Sequence, residues 1–395
     1  MKIMLFCWVQ EMITELMHLA SFLAKYQFGF TISPLVRLRE KGNYISAVSQ
    51  LNKMSPNVQV DPIYLKSQDS SLLNLLRPNI LLGNFLSIFK VLNRSRPDII
   101  VCYYVSHAYP LAMLKRIFKF SLCVVAMGSD INLENSLPQR LMKTYVFRNS
   151  ELIFARSWKL KERIEKEYGC SATVIPSGAE SSFFKPLSSK KELRQKWGLK
   201  PDSTIILTVC SLDKNKGVDI LIRAVKELES DDVNLLIAGE GAERKALKEL
   251  ASELEIRKNV SFLGFRSRNE LLELYNLADI FALASYSEGL PRALIEAMAS
   301  GCIPIVTNVG DAEAVVTESS NGFLVSPGNY KEFAERFKEV LAFSEEAKKL
   351  VRSRARQTVR DDFDSQKLTE KMIDSLNRLY LLRNSQPKAS PVTMP

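Results

Sequence analysis

Hydrophobic and polar positions change period in a regular order along the second half of the chain. From Ser203 onward, short apolar runs alternate with runs in which apolar residues recur every three to four positions. The pairs are STIILTVCS with VDILIRAVKEL, VNLLIAG with AERKALKELASEL, NVSFLGF with NELLELYNLA, and DIFALAS with LPRALIEAMASG, and the strand-like CIPIVTNVG follows. Buried strands that alternate with helices predict a parallel sheet covered on both faces.

The first half repeats this pattern more loosely. Its candidate strands are KIMLFCWV, FGFTIS, PDIIVCYY, SLCVVAM, ELIFARS and SATVIPSG. The sequence therefore predicts an α/β protein with two doubly wound, Rossmann-like domains, 1–185 and 186–360, joined near Lys185–Asp202. A last helix within 361–385 is expected to pack back on the first domain, and 386–395 is expected to be a tail.

Composition agrees with two globular domains and points to a compartment. The chain has 395 residues, of which 46% are hydrophobic and 25% charged. Its six cysteines include no C-x-x-C pair, so we expect buried thiols in a reducing compartment. The N-terminus lacks a signal-peptide pattern and no apolar run reaches about 18 residues. Cytoplasmic localisation is the expectation.

Charge is unevenly distributed and points to an anionic partner. Residues 1–185 hold 23 Lys/Arg and 13 Asp/Glu, whereas the remainder is balanced. Two stretches, 72–96 and 110–120, mix Leu, Ile and Phe with Arg and Lys. They fit either core helices with solvated basic edges or a surface that lies on anionic lipid at the inner face of the plasma membrane. Nucleic acid is not expected, because no recognised motif accompanies the charge.

Candidate catalytic and ligand-binding residues lie in the turns that follow the strands of the second half. In parallel sheets, ligands bind beyond the carboxyl ends of the strands. In SEGLPRALIEAM, Glu288 precedes a helix and Glu296 lies inside it, while the N–H groups of Gly289 and Leu290 could bind a phosphate. Lys216, in DKNKG, could neutralise a diphosphate. Each feature also fits an ordinary strand-to-helix turn.

Several of these blocks together resemble one family. SYSEGLPRALIEAMASGCIPIVTNVGDAEAVV is similar to the signature of the family 4 retaining glycosyltransferases, within the group 1 glycosyltransferases, which have the GT-B fold. Glu288 and Glu296 match its E-x7-E motif. VCSLDKNKGVDILIRAV, LLIAGEGAE, NVSFLGF, YNLADIFALAS and NGFLVSPGN match further blocks in order. The resemblance is dense over 203–330, fair over 97–186 and poor before that.

The resemblance implies a fold, an activity and a donor site. Two domains would face a cleft, and a hexose would move from a nucleotide diphosphate sugar to a glycan or lipid-linked acceptor in cell-surface polysaccharide biosynthesis. Glu296 would hold the ribose and Glu288 would face the transferred sugar. Lys216, with the N–H groups near Gly289 and Leu290, would stabilise the diphosphate. The base would lie beside Gly264 and Phe265, and no metal or other cofactor is expected.

The acceptor half departs from the family pattern. WVQEMITEL lacks the usual Gly-Gly turn, Ser211 replaces an arginine, and Met127 replaces the histidine of H-G-S-D. Asp130 remains from that segment, and His107 in YYVSHAYP resembles the family's upstream histidine. Both are candidate acceptor-binding residues. Two alternatives therefore stay open: a catalytically silent module that binds a nucleotide sugar, and a sugar-nucleotide epimerase.

One acidic pair is typical of a different kind of site. Asp362-Phe363-Asp364 is a D-x-D, which binds manganese in other transferases. Because it precedes the helix-like SQKLTEKM, the sequence favours a helix start at this point.

Overall fold

A computed structural model of the chain describes residues 2–8, 29–37, 58–60, 63–65, 78–132, 136–187 and 189–385. The chain forms two compact units. The first contains residues up to Ile175 and from Thr369 onward, and the second is Pro176–Leu368. The chain thus returns to the first unit inside its last helix, where the Arg383 guanidinium donates to the backbone carbonyl of Asp98. The predicted domain boundary after residue 185 lies within the second unit.

The first unit contains a parallel sheet whose strand order reverses direction beside its first strand. The order is β3-β2-β1-β5-β6-β7-β8, and β4 pairs with β2. The strands are β1 (Lys2–Trp8), β2 (Gly29–Arg37), β3 (Val58–Val60), β4 (Ile63–Leu65), β5 (Ile99–Tyr103), β6 (Ser121–Ala126), β7 (Leu152–Ala155) and β8 (Thr173–Val174). Its described helices are α1 (Pro78–Ser95), α2 (Tyr109–Phe118), α3 (Ser129–Asn132), α4 (Leu137–Arg148) and α5 (Trp158–Tyr168).

The second unit contains a six-stranded parallel sheet with the order β11-β10-β9-β12-β13-β14. Its strands are β9 (Thr204–Val209), β10 (Val233–Ala238), β11 (Val260–Gly264), β12 (Ile280–Leu283), β13 (Ile303–Thr307) and β14 (Phe323–Val325). Its helices are α6 (Lys190–Lys196), α7 (Val218–Lys226), α8 (Arg244–Glu253), α9 (Arg268–Leu277), α10 (Arg292–Ser300), α11 (Tyr330–Ala342) and α12 (Glu345–Asp362), and α13 (Ser365–Ser385) leads back to the first unit.

Continuous apolar strands are explained by burial on both faces of this second sheet. Ile206 and Leu207 are neighbours in β9, both 0% exposed, and they belong to separate hydrophobic clusters. Successive strand residues point to opposite faces, so each face has its own core. The helices on each side complete those cores, which leaves the strand ends and their turns available for a ligand.

The predicted class, two doubly wound α/β domains, is confirmed. Three-residue strands β3 and β4 were not expected, since so short a run carries too little alternation to be read as a strand. The stretch Lys185–Asp202 contains α6. The turn after Trp8, where the glycine pair is missing, lies outside the described residues. No helix in the described ranges is long and apolar enough to span a bilayer.

Candidate active site

The strand order of the second unit locates a ligand crevice beside its central strand. From β9 the chain moves one way through β10 and β11, and then returns to the other side of β9 with β12. Turns that leave β9 and β12 therefore diverge to opposite faces of the sheet, and such a switch point is where doubly wound sheets bind ligands. The first of these turns carries Lys216 and the second carries Glu288.

Lys216 and Glu288, which are 72 residues apart in sequence, meet at this switch point. The Lys216 Nζ lies 2.6 Å from the Glu288 Oε1. The buried Ser285 hydroxyl donates to the same carboxylate oxygen at 2.7 Å. Since the Glu288 side chain is only 14% exposed, these two donors hold its carboxylate in one place. A cation and a carboxylate are thereby fixed side by side at the mouth of the crevice.

Glycines in the turns after β9 and β13 let both turns approach the turn after β12 closely. Gly217 has φ +57°, and a Cβ placed there would lie 2.2 Å from the Ala284 carbonyl oxygen. Gly310 has φ +59°, and its Cβ would lie 2.3 Å from the carbonyl oxygens of Glu288 and Gly289. Any side chain at either position would separate the backbones. The Asn215 side chain adds a hydrogen bond of 2.8 Å to the Ser287 carbonyl.

The turn after β12 presents backbone donors at the start of α10. Within the described part of the chain, the amide N–H groups of Gly289 and Leu290 have no hydrogen-bond acceptor. A Cβ built on Gly289 would meet no atom within 4 Å, so the space beside this backbone is open. Pro291 takes the N-cap position of α10, immediately before its first helical residue, Arg292. Two free donors beside a helix N-terminus suit an anion.

Glu296 lies one and a half turns further along α10 in a different environment. Its Oε2 accepts from the Tyr275 hydroxyl at 3.1 Å, and its Oε1 lies 3.8 Å from the Arg292 Nε. Burial raises the pKa of Glu296 above the ordinary value for glutamate, although Arg292 and Tyr275 oppose the shift. Burial, reinforced by the Glu296 charge, raises the pKa of Tyr275 well above 10, so its hydroxyl keeps its proton and donates.

The ends of β10 and β11 form the opposite side of the crevice edge. Gly264 has φ +77°, and its carbonyl accepts from the Gly239 amide at 2.8 Å. A Cβ on Gly239 would lie 1.8 Å from the Cys210 carbonyl oxygen, so this turn also requires glycine. The Phe265 ring is 83% exposed. An exposed aromatic ring beside a crevice is suited to stacking on a planar ligand.

Asp130 and His107 are close to one another in the first unit. The Asp130 carboxylate accepts from the amides of Val105, Met127 and Gly128 at 2.7–3.0 Å. Val105 begins the 3-10 helix Val105–Ala108 that carries His107, so Asp130 joins the turns after β5 and β6. Burial lowers the pKa of His107 to about 4, which leaves its ring neutral at physiological pH.

The sequence profile described as glycosyl transferases group 1 matches residues 189–357. Those residues contain the switch point, both glutamates and Lys216. Residues 189–357 are therefore similar to the group 1 glycosyltransferases.

Two known proteins illustrate what the chain is similar to. An uncharacterized glycosyltransferase of Methanocaldococcus jannaschii is 37% identical over 141 residues, which cover 35% of the chain and 36% of that protein. The chain thus spans about a third of that relative's length. N-acetyl-alpha-D-glucosaminyl L-malate synthase of Bacillus anthracis is 25% identical over 84% of the chain and 88% of its own length.

A solved structure similar to the chain shows the fold over nearly its whole length. Anabaena HepE in complex with UDP has a TM-score of 0.78 and 19% identity, and the match covers 96% of the chain and 100% of HepE. The GT-B fold expected from the resemblance is therefore confirmed, with its two parallel-sheet α/β domains.

Sequence reasoning missed several residues that shape the crevice of the second unit. Tyr275 and Ser285 lie within the quoted blocks YNLADIFALAS and DIFALAS, where each reads as a strand or helix residue. Tyr275 donates to Glu296 on another helix, and Ser285 donates to Glu288 within the same turn. Ser211, in place of the usual arginine, donates from its hydroxyl to Asp213 at 2.6 Å.

The D-x-D segment begins a helix, as the sequence favoured. The Asp364 carboxylate accepts from the amides of Gln366 and Lys367 in the first turn of α13. Its other oxygen accepts from the amide and the hydroxyl of Ser181. Asp364 is therefore a capping residue that ties the start of α13 to the second unit.

Proposed function

We propose that the protein is a retaining glycosyltransferase that moves a hexose from a nucleoside diphosphate sugar to a glycan or lipid-linked acceptor in cell-surface polysaccharide biosynthesis. The observation that carries the proposal is the Lys216–Glu288 pair beside the open N–H groups of Gly289 and Leu290 at the switch point. HepE, whose fold the chain shares, was solved in complex with UDP. We assign the same kind of ligand to this crevice.

Negative charge develops on the diphosphate during transfer, and the crevice supplies groups to stabilise it. The bond between the sugar C1 and the phosphate oxygen breaks, the diphosphate keeps the electron pair, and the acceptor oxygen bonds to C1 as its proton passes to the departing phosphate oxygen. Lys216 and the N–H groups of Gly289 and Leu290 would stabilise that diphosphate. These donors perform the task that a divalent cation performs elsewhere, so we propose that transfer needs no metal.

The remaining parts of the crevice divide between the donor's sugar and its nucleoside. Glu288, already oriented by Ser285 and Lys216, would accept hydrogen bonds from hydroxyls of the transferred hexose. Glu296 would accept from the ribose hydroxyls, with Tyr275 orienting its carboxylate. Gly264 and Phe265 would border the base, with the exposed ring available for stacking.

Two residues of the first unit are assigned to the acceptor side. Asp130 acts there as a positioning residue, because its carboxylate already accepts from three backbone amides. His107, neutral at physiological pH, would offer the acceptor a hydrogen bond without a charge. The alternative of a silent module that binds donor without transfer is favoured by Ser211 and Met127, which replace the family's usual arginine and histidine.

Nucleotide release separates these functions. With purified protein, a nucleotide sugar and acceptor extracts, a transferase releases nucleoside diphosphate only when acceptor is present. A silent module binds the donor and releases nothing. An epimerase converts the donor without needing any acceptor. Acceptor-dependent release that also survives a metal chelator is the expected result, and release that ceases on chelation would contradict metal independence.

The pH dependence of donor binding should report the Glu296 environment. An ionised carboxylate accepts from ribose hydroxyls more strongly than the neutral acid, so donor affinity should fall as pH drops through the raised pKa of Glu296. The Tyr275 hydrogen bond opposes that rise. Tyr275→Phe should therefore move the fall in affinity to higher pH while affinity at high pH changes little. Calorimetric titration of nucleoside diphosphate across pH measures this, and superimposable profiles would contradict the pairing.

A further inference from the structure

Three helices on one face of the first unit carry basic residues and no acidic ones. These helices are α1, α2 and α4, and together they contain seven Lys or Arg and not one Asp or Glu. By contrast, α12 of the second unit mixes both signs in the sequence EEAKKLVRSRARQTVRDD. The excess positive charge of the N-terminal half is therefore concentrated partly on one set of neighbouring helices.

The three helices pack side by side, with α2 in the middle. The Phe89 and Phe118 rings join α1 to α2 with centroids 5.0 Å apart, and the Tyr109 and Tyr145 rings join α2 to α4 at 5.7 Å. Residues that face the sheet are buried; they are Ile88, Leu92, Leu111, Leu114, Val146 and Phe147. The side chains on the opposite side of each helix therefore form one continuous outer surface, which we name the α1–α2–α4 face.

This face exposes large apolar side chains in stripes at helical spacing. Leu86 and Phe89 are exposed on α1, Met113 and Ile117 on α2, and Leu137 and Leu141 on α4. Ile117 is 62% exposed and Leu137 is 70% exposed, which is unusual for side chains of this size in one patch. Clustered exposed apolar residues of this kind indicate a surface that is covered by something else.

Cations lie among these apolar residues. Exposed basic side chains on the same helices are Lys90, Arg94, Arg116, Arg140 and Arg148. The two remaining basic residues do not belong to the outer surface, since Lys143 is buried and Lys115 pairs with Glu151 at 2.5 Å. Apolar side chains interleaved with Lys and Arg suit a bilayer whose headgroups are anionic, because the former enter the acyl boundary while the latter pair with phosphates.

We propose that the α1–α2–α4 face docks on an anionic lipid bilayer. The apolar stripes supply the buried area, and the cations select membranes that contain anionic lipid. This inference does not depend on sugar transfer, since no residue of the face belongs to the donor crevice. If both proposals hold, the first unit presents its acceptor-binding turns while seated on the membrane that holds a lipid-linked acceptor.

Vesicle binding by the full chain tests the proposal with paired variants. The charge variant combines Arg116→Gln, Arg140→Gln and Arg148→Gln, and the apolar variant combines Met113→Gln and Ile117→Gln. Matched controls on the exposed side of α12 are Lys349→Gln with Arg354→Gln and Arg360→Gln, and separately Leu350→Gln. Cosedimentation is measured with phosphatidylcholine vesicles and with vesicles that also contain phosphatidylglycerol, at low and high salt.

Each change has its own expected effect. Wild type should bind the anionic vesicles and ignore the neutral ones. The charge variant should bind about 100-fold more weakly, because each basic residue near the surface contributes about 1 kcal/mol and 1.4 kcal/mol is tenfold. The apolar variant should still attach at low salt but leave the vesicles completely as salt rises. Both α12 controls should bind like wild type.

Several results would overturn the proposal. Equal binding to neutral and anionic vesicles would do so, as would a charge variant that binds like wild type. If the face variants convert a dimer to a monomer without changing vesicle binding, the face is an interface between two copies. If the apolar variant remains on anionic vesicles at high salt as wild type does, the apolar stripes do not enter the bilayer and the face is a general polyanion surface. Melting temperature and the shift caused by donor show that the variants are folded and keep the crevice intact.

Discussion

Lys216→Ala should lower the rate of sugar transfer by about 10²–10³, the usual cost of removing one donor that stabilises developing negative charge. The lysine is proposed to meet the diphosphate as it leaves, so the loss should appear mainly in kcat. Removing its ammonium also deprives the largely buried Glu288 carboxylate of its cation. Steady-state kinetics with saturating donor, together with the donor dissociation constant, measure both effects.

Lys214→Ala is the matched control for this change. Lys214 belongs to the same short 3-10 helix, Lys214–Lys216, but its side chain is exposed. The same charge is therefore removed from the same turn without touching the ion pair. If both variants lose the same fraction of the transfer rate, Lys216 acts only through the positive electrostatic potential of the turn. The assigned contact with the diphosphate would then be wrong.

Glu296→Ala should weaken binding of the free nucleoside diphosphate by about 10–100-fold. A hydrogen bond to a charged group is worth about 1.5–3 kcal/mol, and the ribose would lose its acceptor. Glu288→Gln should leave nucleotide affinity unchanged but depress transfer, because Glu288 is assigned to the hexose. Calorimetric titration with the diphosphate and kinetics with the full donor distinguish the two roles. If Glu296→Ala and wild type bind nucleotide equally, the assignment to the ribose fails.

Glu296→Gln separates this binding role from folding. Because burial raises the pKa of Glu296, the ionised carboxylate costs folding free energy above its raised pKa, and that cost disappears as pH falls through it. The neutral amide avoids the cost. At neutral pH the variant should therefore melt at the same temperature as wild type or higher while binding nucleotide more weakly. A lower melting temperature would mean that the charge stabilises the fold.

The sequence predicted elements and their order better than it predicted contacts. Continuous apolar runs such as TIILTV and VNLLIA identify strands buried on both faces, and the alternation with helices determines the class. The Lys216–Glu288 pair could not be predicted from spacing, because the strand order alone brings these two turns together. The role of Tyr275 could not be predicted either, because its partner Glu296 lies on another helix that only the fold brings near.

Glycines show a second limit of the sequence. The space beside the Gly289 backbone is open in the structure. The tight approaches occur at Gly217 and Gly310 within the crevice. Sequence identifies a glycine-rich turn, whereas which glycine touches protein and which leaves room for a ligand depends on the neighbouring turn. The open side of Gly289 is where the proposed diphosphate would lie.

The presence of a nucleotide-sugar site is tested most directly by a thermal-shift titration of the full chain. Uridine, guanosine and adenosine diphosphate sugars are compared with and without a chelator. A ligand at about 100 times its dissociation constant stabilises the form that binds it by about 2.7 kcal/mol, and each kcal/mol raises the melting temperature by about 2–4 °C for a domain of this size. The sugar nucleotide of one base should raise the melting temperature clearly. The chelator should not change this shift, and Glu296→Ala should remove most of it. If no nucleotide sugar shifts the melting temperature under any condition, the chain shares only the fold of these enzymes and has no donor site.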